Sequence, residues 1–410
     1  MEKSKYLNLV SLYTKVDNDI TTIEGKNNAR DKLTILDLNS FNDLICIDKN
    51  GFEGCKNLIN VILPLNIEKI LDYAFNDCSI QYVNLSLLKE LSIISKYAFA
   101  NNKIKLLDLS NCKKLTKIDE GAFANNEIKK LKLPDSLKEI NSYAFICNNL
   151  ENVDLSNCKK ITKIDEGAFA NNGIKILKLP DSLKEINSYA FICNNLENVD
   201  LSNCKKLTKI GDGAFANNGI KILKLPDSLK KINSYAFICN NLENVDSSNC
   251  KKLTKITKGA IANNVIKNLK LPNSLKEIGL SAFEDNKIED LDISNCINLK
   301  IINDSSFYKN KIKNLKLPNS IEKIGICSFT YNNIENLDLS NCNNLRNIAL
   351  NAFLHNPLQE IKILENIKIV YDNNQLDDQW NKFVDFYNNN GKKAGDYKLI
   401  NNQWQYFKFQ

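Results

Sequence analysis

Apolar residues recur along most of the chain in one short frame with the spacing L-x-x-L-x-L. Two examples are Ile128-x-x-Leu131-x-Leu133 and Leu150-x-x-Val153-x-Leu155, and fifteen such frames run from Leu33 to Leu358. Since the last two apolar positions alternate with polar ones, each frame predicts a short β-strand with one buried side.

The frames belong to a longer internal repeat. The tripeptide Ser-Asn-Cys returns every 46 residues, with its cysteine at 112, 158, 204, 250, 296 and 342. An Ala-Phe pair divides each block into half-units of 24 and 22 residues. Because one strand per half-unit cannot bury its apolar side alone, successive turns must stack into a solenoid.

The predicted fold is therefore a solenoid of about 15 rungs of 22–24 residues. We expect a right-handed, α/β-type superhelix made mostly of short parallel β-strands, joined by helical or irregular turns. The side chains between the last two apolar positions of each frame should point outward on the concave face.

The pattern resembles the leucine-rich repeat superfamily, in which Asn or Cys follows the last Leu of the frame by three residues. Cys158 after Leu155 occupies that position, and the stretch Leu137–Phe145 is similar to the BspA-like subfamily. The resemblance covers residues 33–365 and implies a surface or secreted protein that acts in adhesion. The chain departs from that expectation because its first residues lack the pattern of a conventional signal peptide.

Two segments fall outside the frame. Residues 1–32 are predicted to form an N-terminal cap, and residues 366–410 a C-terminal cap. In the latter, one helical face is formed by Leu376, Trp380, Phe383, Val384 and Tyr387. A hairpin should follow, with strands at Tyr397–Ile400 and Gln403–Tyr406 and its turn at Asn401-Asn402.

Composition points away from an enzyme. The apolar fraction is 43%, the charged fraction 25%, and His355 is the single histidine. One histidine excludes most acid–base, triad and metal chemistries. We expect no catalytic residue, no cofactor and no metal, and we interpret His355 as a surface substitution in a turn.

The thirteen cysteines do not predict disulfides. Cys112 and Cys158 lie two rungs, about 10 Å, apart, which is farther than a disulfide reaches. A second column, Cys147, Cys193 and Cys239, has the same step. All are interpreted as small buried apolar side chains.

Charges alternate on the concave face. The residue between the last two apolar positions runs Asp108, Lys132, Asp154, Lys178 and onward without exception to Lys362. Neighbouring strands thus bring opposite charges together, so this face cannot offer the field of one sign that nucleic acids require.

The first rungs lack this alternation. Their outward positions include Ile35, Ile62, Tyr82 and Leu106, which we name the apolar stripe. Exposed apolar side chains of this kind mark protein interaction sites, although the N-terminal cap folding over them is an open alternative.

The sequence therefore predicts a non-catalytic, monomeric protein-interaction solenoid without a membrane-spanning segment. It would act in adhesion or host contact at the cell surface or, alternatively, as an intracellular scaffold in a reducing compartment.

Two further expectations concern the turns. Asn pairs such as Asn125-Asn126 should adopt left-handed backbone and bond neighbouring rungs. One rung should be weak, because Ser247 replaces an inward Leu and Ile261 replaces a Phe.

Overall fold

The computed structural model describes residues 13–16, 19–23, 33–371 and 378–409. These residues form two compact units, Met1–Leu196 and Glu197–Gln410. Each unit is a parallel β-solenoid in which every turn contributes one longer and one two-residue strand. The predicted repeat fold is confirmed, including the turns between strands, which are irregular apart from a 3-10 turn at Leu85–Leu87.

The longer strands, which we name collectively the long-strand ladder, follow the L-x-x-L-x-L frames. They pair as separate sheets of two to four strands, the last of which includes the C-terminal hairpin. The first unit has seven, namely Ile35–Asp37, Asn60–Ile62, Tyr82–Val83, Leu106–Asp108, Lys130–Lys132, Asn152–Asp154 and Ile176–Lys178. The second unit has eight, namely Asn198–Asp200, Ile222–Lys224, Asn244–Asp246, Asn268–Lys270, Asp290–Asp292, Asn314–Lys316, Asn336–Asp338 and Glu360–Ile363.

The two-residue strands form the short-strand ladder, and in nearly all of them the second residue is a buried Ile. In the first unit they are Cys46–Ile47, Lys69–Ile70, Ile93–Ile94, Lys117–Ile118, Glu139–Ile140, Lys163–Ile164 and Glu185–Ile186. In the second unit they are Lys209–Ile210, Lys231–Ile232, Lys255–Ile256, Glu277–Ile278, Ile301–Ile302, Lys323–Ile324, Asn347–Ile348 and Lys368–Ile369.

A stack of phenylalanine rings fills the interior of each unit. In the first unit six consecutive ring pairs, from Phe52 to Phe191, have centroids 5.2–5.8 Å apart and nearly parallel planes. In the second unit Ile261 interrupts the series, which resumes from Phe283 to Phe353. Because each ring is fully buried, every turn adds a large apolar contact with the next.

A buried or half-buried asparagine accompanies each ring from Phe99 onward, whereas Cys55 and Cys78 occupy the matching positions at Phe52 and Phe75. The side-chain amide of Asn148 donates to the carbonyls of Phe123 at 2.9 Å and Phe145 at 3.2 Å, and its Oδ1 accepts from the backbone N–H of Ile128 at 3.0 Å. Asn102, Asn126, Asn194, Asn240, Asn264, Asn286, Asn310, Asn332 and Asn356 repeat these contacts. This asparagine ladder satisfies buried backbone groups that the turns leave without partners.

The elements outside the repeats pack against the ladders. A helix, Gln379–Asn389, is capped by Asp378 and buries Trp380, Phe383, Val384 and Tyr387; Leu376 lies outside the described residues. The Trp380 ring lies 5.0 Å from Phe353, the last ring of the stack. A hairpin, Gly395–Ile400 with Gln403–Phe407, turns at Asn401 and Asn402, both left-handed, and pairs with Glu360–Ile363.

At the other end, Tyr13–Val16 and Asp19–Ile23 form an antiparallel hairpin. Its second strand pairs with the short-strand ladder through Ile20 and Ile47.

The asparagine ladder generates a first prediction. Replacing Asn148 by Ala leaves the buried N–H of Ile128 without its acceptor and leaves the carbonyls of Phe123 and Phe145 with one amide donor each, from Asn126 and Asn172. We expect the unfolding free energy to fall by about 2–4 kcal/mol in denaturant titrations. Asn149→Ala, at the exposed neighbour, is the control and should change it by less than about 0.5 kcal/mol. Equal effects of the two substitutions would contradict the role assigned to Asn148.

The turn in which Ser247 replaces an inward leucine generates a second prediction. Ser247 is buried and its hydroxyl donates to the Lys270 carbonyl at 3.0 Å, whereas the matching Leu201 fills that space with apolar volume. We expect faster amide hydrogen exchange over residues 243–265 than over the matching 197–219. Ser247→Leu should stabilise the second unit by about 1–2 kcal/mol, since the added apolar burial exceeds the lost hydrogen bond. Destabilisation by this substitution would show that the serine is required.

Candidate functional site

The outward face of the long-strand ladder carries paired charges over most of its length. Strand register places Asp154 directly opposite Lys178, and their side chains form an ion pair of 3.3 Å. Four further doublets repeat it at 3.1–3.8 Å, namely Asp108–Lys132, Asp200–Lys224, Asp246–Lys270 and Asp292–Lys316. The predicted pairing of alternating charges is thus observed in five doublets.

The sixth doublet, Asp338 and Lys362, differs from the other five. Lys362 pairs with Glu360 on its own strand at 3.6 Å, and the C-terminal hairpin brings Lys398 within 3.7 Å of the same carboxylate. The hairpin therefore reorganises the last pair of the ladder.

The aspartates of the five doublets are held in their charged form, with pKa values below the usual one. The Ser156 hydroxyl and backbone N–H both donate to Asp154, at 2.6 and 3.0 Å. These hydrogen bonds, with Lys178, hold the pKa of the Asp154 carboxyl below its usual value of 3.8. Hydrogen bonds to the charged form explain the direction, because they outweigh the opposing effect of burial.

Ile35, Ile62 and Tyr82 of the apolar stripe lie where this charge pairing is missing, whereas Leu106 lies on the strand of Asp108, beside the first ion pair. The exposed fractions are 50% for Ile35, 66% for Tyr82 and 58% for Leu106, while Ile62 is half-buried. Register aligns Ile35 with Asn60, and Asn60 with Tyr82, in one column of the long-strand ladder. Ile62 lies in the next column, opposite Asp37.

Three exposed apolar side chains beside the stripe were not predicted. Ile59, just before the strand Asn60–Ile62, is 39% exposed, and Leu65 and Leu87, on turns that follow strands, are 58% and 56% exposed. Leu65 stands where Asp135 follows Leu133-Pro134, and Leu87 stands where Asn111 precedes Cys112. Aligning these turns with later repeats would have identified both residues. Together with the stripe they form the extended apolar patch.

The apolar stripe is accessible to a partner only where the N-terminal segment does not cover it. The described strands of that segment pair with the short-strand ladder, not with the long-strand ladder that carries the stripe. The remaining residues before Leu33 lie outside the described part of the chain, so an N-terminal cover stays an alternative.

The cysteines differ in burial. None of the thirteen forms a disulfide, and burial raises the pKa of Cys112, Cys158, Cys250, Cys296 and Cys342 to about 11. The interpretation that all are buried is correct for nine of them, but Cys327 is half-buried. It is wrong for Cys147, Cys193 and Cys239, which are exposed. Each occupies a left-handed position in its turn, with φ of 52–54°, where the side chain points to solvent.

His355 has a structural role in its turn. Its backbone N–H donates to Asp378 at 2.8 Å, and its ring stacks on Tyr331 at 4.4 Å. Since Asp378 also caps the C-terminal helix, His355 connects the last turns to that helix. Within the described ranges, no group of three or more His, Cys, Asp or Glu side chains could hold a metal ion.

The Asp–Ser contacts generate a third prediction, on pH. Because the folded pKa of Asp154 lies below the unfolded value, its contribution to stability is complete above about pH 4 and is lost as the pH falls through the folded pKa. Ser156→Ala removes the principal cause, so the pKa of Asp154 should rise towards 3.8 in an NMR titration. Asp200, with Ser202 intact, is the internal control. An unchanged Asp154 titration would contradict the assignment.

Several solved structures share the repeat architecture at low sequence identity. The functional domain of InlJ from Listeria monocytogenes is 17% identical with a TM-score of 0.40; the match covers 73% of this chain and 64% of that one, just under two thirds. A leucine-rich repeat protein from Bacteroides ovatus is 21% identical, with 88% and 97% covered and a TM-score of 0.49. The pneumococcal vaccine antigen PcpA is 17% identical, with 89% and 91% covered and a TM-score of 0.41.

Sequence comparison identifies the family. No curated protein sequence matches the chain. The family described as BspA type leucine-rich repeat region matches in overlapping copies at residues 21–146, 83–197, 162–289 and 254–375, which together cover most of the chain. The residues quoted for the resemblance, including Cys158 and the stretch Leu137–Phe145, lie within these matches. The chain therefore belongs to the BspA type leucine-rich repeat family.

Proposed function

We propose that the protein is a non-catalytic interaction solenoid that binds a protein partner through the apolar stripe. The observation that carries the proposal is the exposure of Tyr82 on a strand without charged residues, whereas ion pairs begin at the strand Leu106–Asp108, where the exposed Leu106 marks the boundary. Large apolar side chains without charged neighbours are the surface that protein partners bury most favourably. The family supports the general role, because leucine-rich repeat solenoids serve as protein-binding surfaces.

The stripe differs from other exposed apolar residues in the same column. Ile176 is 56% exposed, yet it lies between the ion pairs Glu151–Lys175 at 3.5 Å and Asp154–Lys178 at 3.3 Å. A partner covering Ile176 would have to desolvate these charges, and that cost opposes binding. A partner covering Tyr82 meets Asn60, Asn84 and Ile62 instead, which are neutral.

The cellular role we propose is adhesion or host contact at the cell surface, which the family supports. An intracellular scaffold is the second candidate, and the thirteen thiols favour it, since thiols persist in reducing compartments. Intact cells treated with a membrane-impermeant, amine-reactive biotin reagent distinguish the two. The exposed lysines of a surface protein are labelled, whereas those of a scaffold are labelled only after lysis.

The fourth prediction tests the stripe. A photo-cross-linking residue, p-benzoylphenylalanine, at position 82 should yield a discrete protein adduct in the source cells. Leu106→Asp should remove that adduct while leaving the thermal unfolding midpoint unchanged, because residue 106 is exposed. The same cross-linker at position 176 is the matched control and should yield no such adduct. Absence of an adduct at 82, or an equal one at 176, would contradict the proposal.

A further inference from the structure

Nearly all of the net charge of the chain comes from one repeat. The formal charge is +7, and residues 228–273 alone carry eight lysines and two acidic residues, a net charge of +6. The flanking repeats, 182–227 and 274–319, carry +1 and 0. The excess arises because Lys231, Lys258 and Asn273 replace residues that are Glu185, Asp212 and Asp227 one repeat earlier.

The added lysines interrupt the alternation of the short-strand ladder. In the first unit, register aligns Lys117 with Glu139 and Glu139 with Lys163. In the second unit, Lys209 is aligned with Lys231, and Lys231 with Lys255. Three ammonium-bearing side chains therefore follow one another on adjacent strands, which are about 4.8 Å apart.

The carboxylates that neutralise this column in other turns have also been replaced. Lys163 pairs with Asp165 at 2.8 Å, but the matching residues after Lys209 and Lys255 are Gly211 and Thr257. Thr257 instead lies 3.2 Å from the Ser234 hydroxyl. In the described part of the chain, Lys209, Lys230 and Lys231 form no ion pair, whereas Lys255 pairs with Glu277 at 2.9 Å.

A further cation lies beside the column. Lys258 takes the place of Asp212, and its ammonium lies 5.6 Å from the centre of the Tyr235 ring. Lys230, Lys255 and Lys258 are exposed, and Lys209 and Lys231 are half-buried. These five lysines, which we name the basic patch, all belong to the second unit.

The basic patch does not serve stability. Like charges directly opposite each other on neighbouring strands destabilise a sheet, and a glutamate at position 231 would restore the favourable alternation found in the first unit. Concentrated charge of one sign does, however, attract an oppositely charged partner and accelerates its association.

We propose that the basic patch is a binding site for an acidic peptide segment of a partner protein. The column extends over about 10 Å, which suits a few consecutive carboxylates on one chain. A single-stranded nucleic acid would require free aromatic rings on which its bases could stack. The exposed ring beside the basic patch, Tyr235, is already covered by the Lys258 ammonium. This site is independent of the apolar stripe, which belongs to the first unit.

The experiment measures binding of a fluorescein-labelled oligoglutamate peptide to the full chain by anisotropy at about 0.1 M salt, where charges more than about 10 Å apart are largely screened. The wild-type protein should bind it and should not bind the matching oligoglutamine peptide. Lys231→Glu, which installs the residue found at 139 and 185, should weaken binding about tenfold or more. Lys258→Asp, which installs the residue found at 212, should weaken it in the same direction and serves as the second variant.

Lys287→Glu is the matched control. It makes the same change in net charge at an exposed lysine of the second unit that lies outside the basic patch. It should alter affinity less than about twofold, because separated surface charges are screened. Lys231→Glu should also leave the thermal unfolding midpoint equal or higher, since it removes like-charge repulsion.

Three results would overturn the proposal. One is an oligoglutamate affinity that both patch variants leave unchanged. Another is an equal loss in Lys287→Glu, which would reflect net charge alone. The third is tighter binding of a single-stranded oligonucleotide of the same charge, lost in Lys231→Glu, which would assign the patch to nucleic acid.

Discussion

The constraint on which the structure depends is that each turn must satisfy buried backbone groups without a helix or a wide sheet. Strands of two or three residues leave many carbonyls and N–H groups of the turns in the interior. From Asn102 onward one asparagine per turn resolves this, because its amide donates to the carbonyls of two successive turns and its Oδ1 accepts an N–H from the preceding one. The phenylalanine rings that accompany it in the first unit stack with centroids 5.2–5.8 Å apart. The side chains on the outer surface are therefore not needed to satisfy these buried backbone groups.

That freedom explains how charge is used on the two ladders. Where no partner is expected, opposite charges alternate from strand to strand, and each exposed pair adds little stability but prevents repulsion. Alternating charges also cancel much of the electrostatic field at the surface, so such turns attract neither anions nor cations. Two places that depart from it are the first turns, where the outward residues are mostly uncharged and several are apolar, and residues 228–273, where basic residues are in excess. Departures from a neutralised background are what a partner can recognise.

The fold could be predicted from the sequence because one strand per half-unit and a fixed 46-residue period leave few other architectures. The C-terminal helix was predictable from the spacing of Trp380, Phe383 and Tyr387. The exposure of Cys147 was not, since it depends on a left-handed backbone that turns the side chain outward. The alternation of charge is visible in the sequence of the long strands, whereas the three-lysine column lies on the short strands, where only the register brings Lys209, Lys231 and Lys255 side by side. Ile62 was placed correctly on its strand, but its half-burial follows from neighbours that a pattern does not reveal.

Near-identity between repeats limits where a specific partner can bind. Residues 136–181 and 182–227 differ at three positions, so a surface built from them offers the same contacts twice and cannot fix a register. The next repeat differs in several ways that do not favour folding: Ser247 removes apolar volume, Ile261 interrupts the ring stack, and Lys231 faces two other lysines. Each of these substitutions weakens an otherwise regular array, and all of them fall in one repeat. The stability of the fold does not explain them. At functional sites, natural sequences contain residues that do not favour the local structure. In the second unit, such residues are concentrated in this repeat.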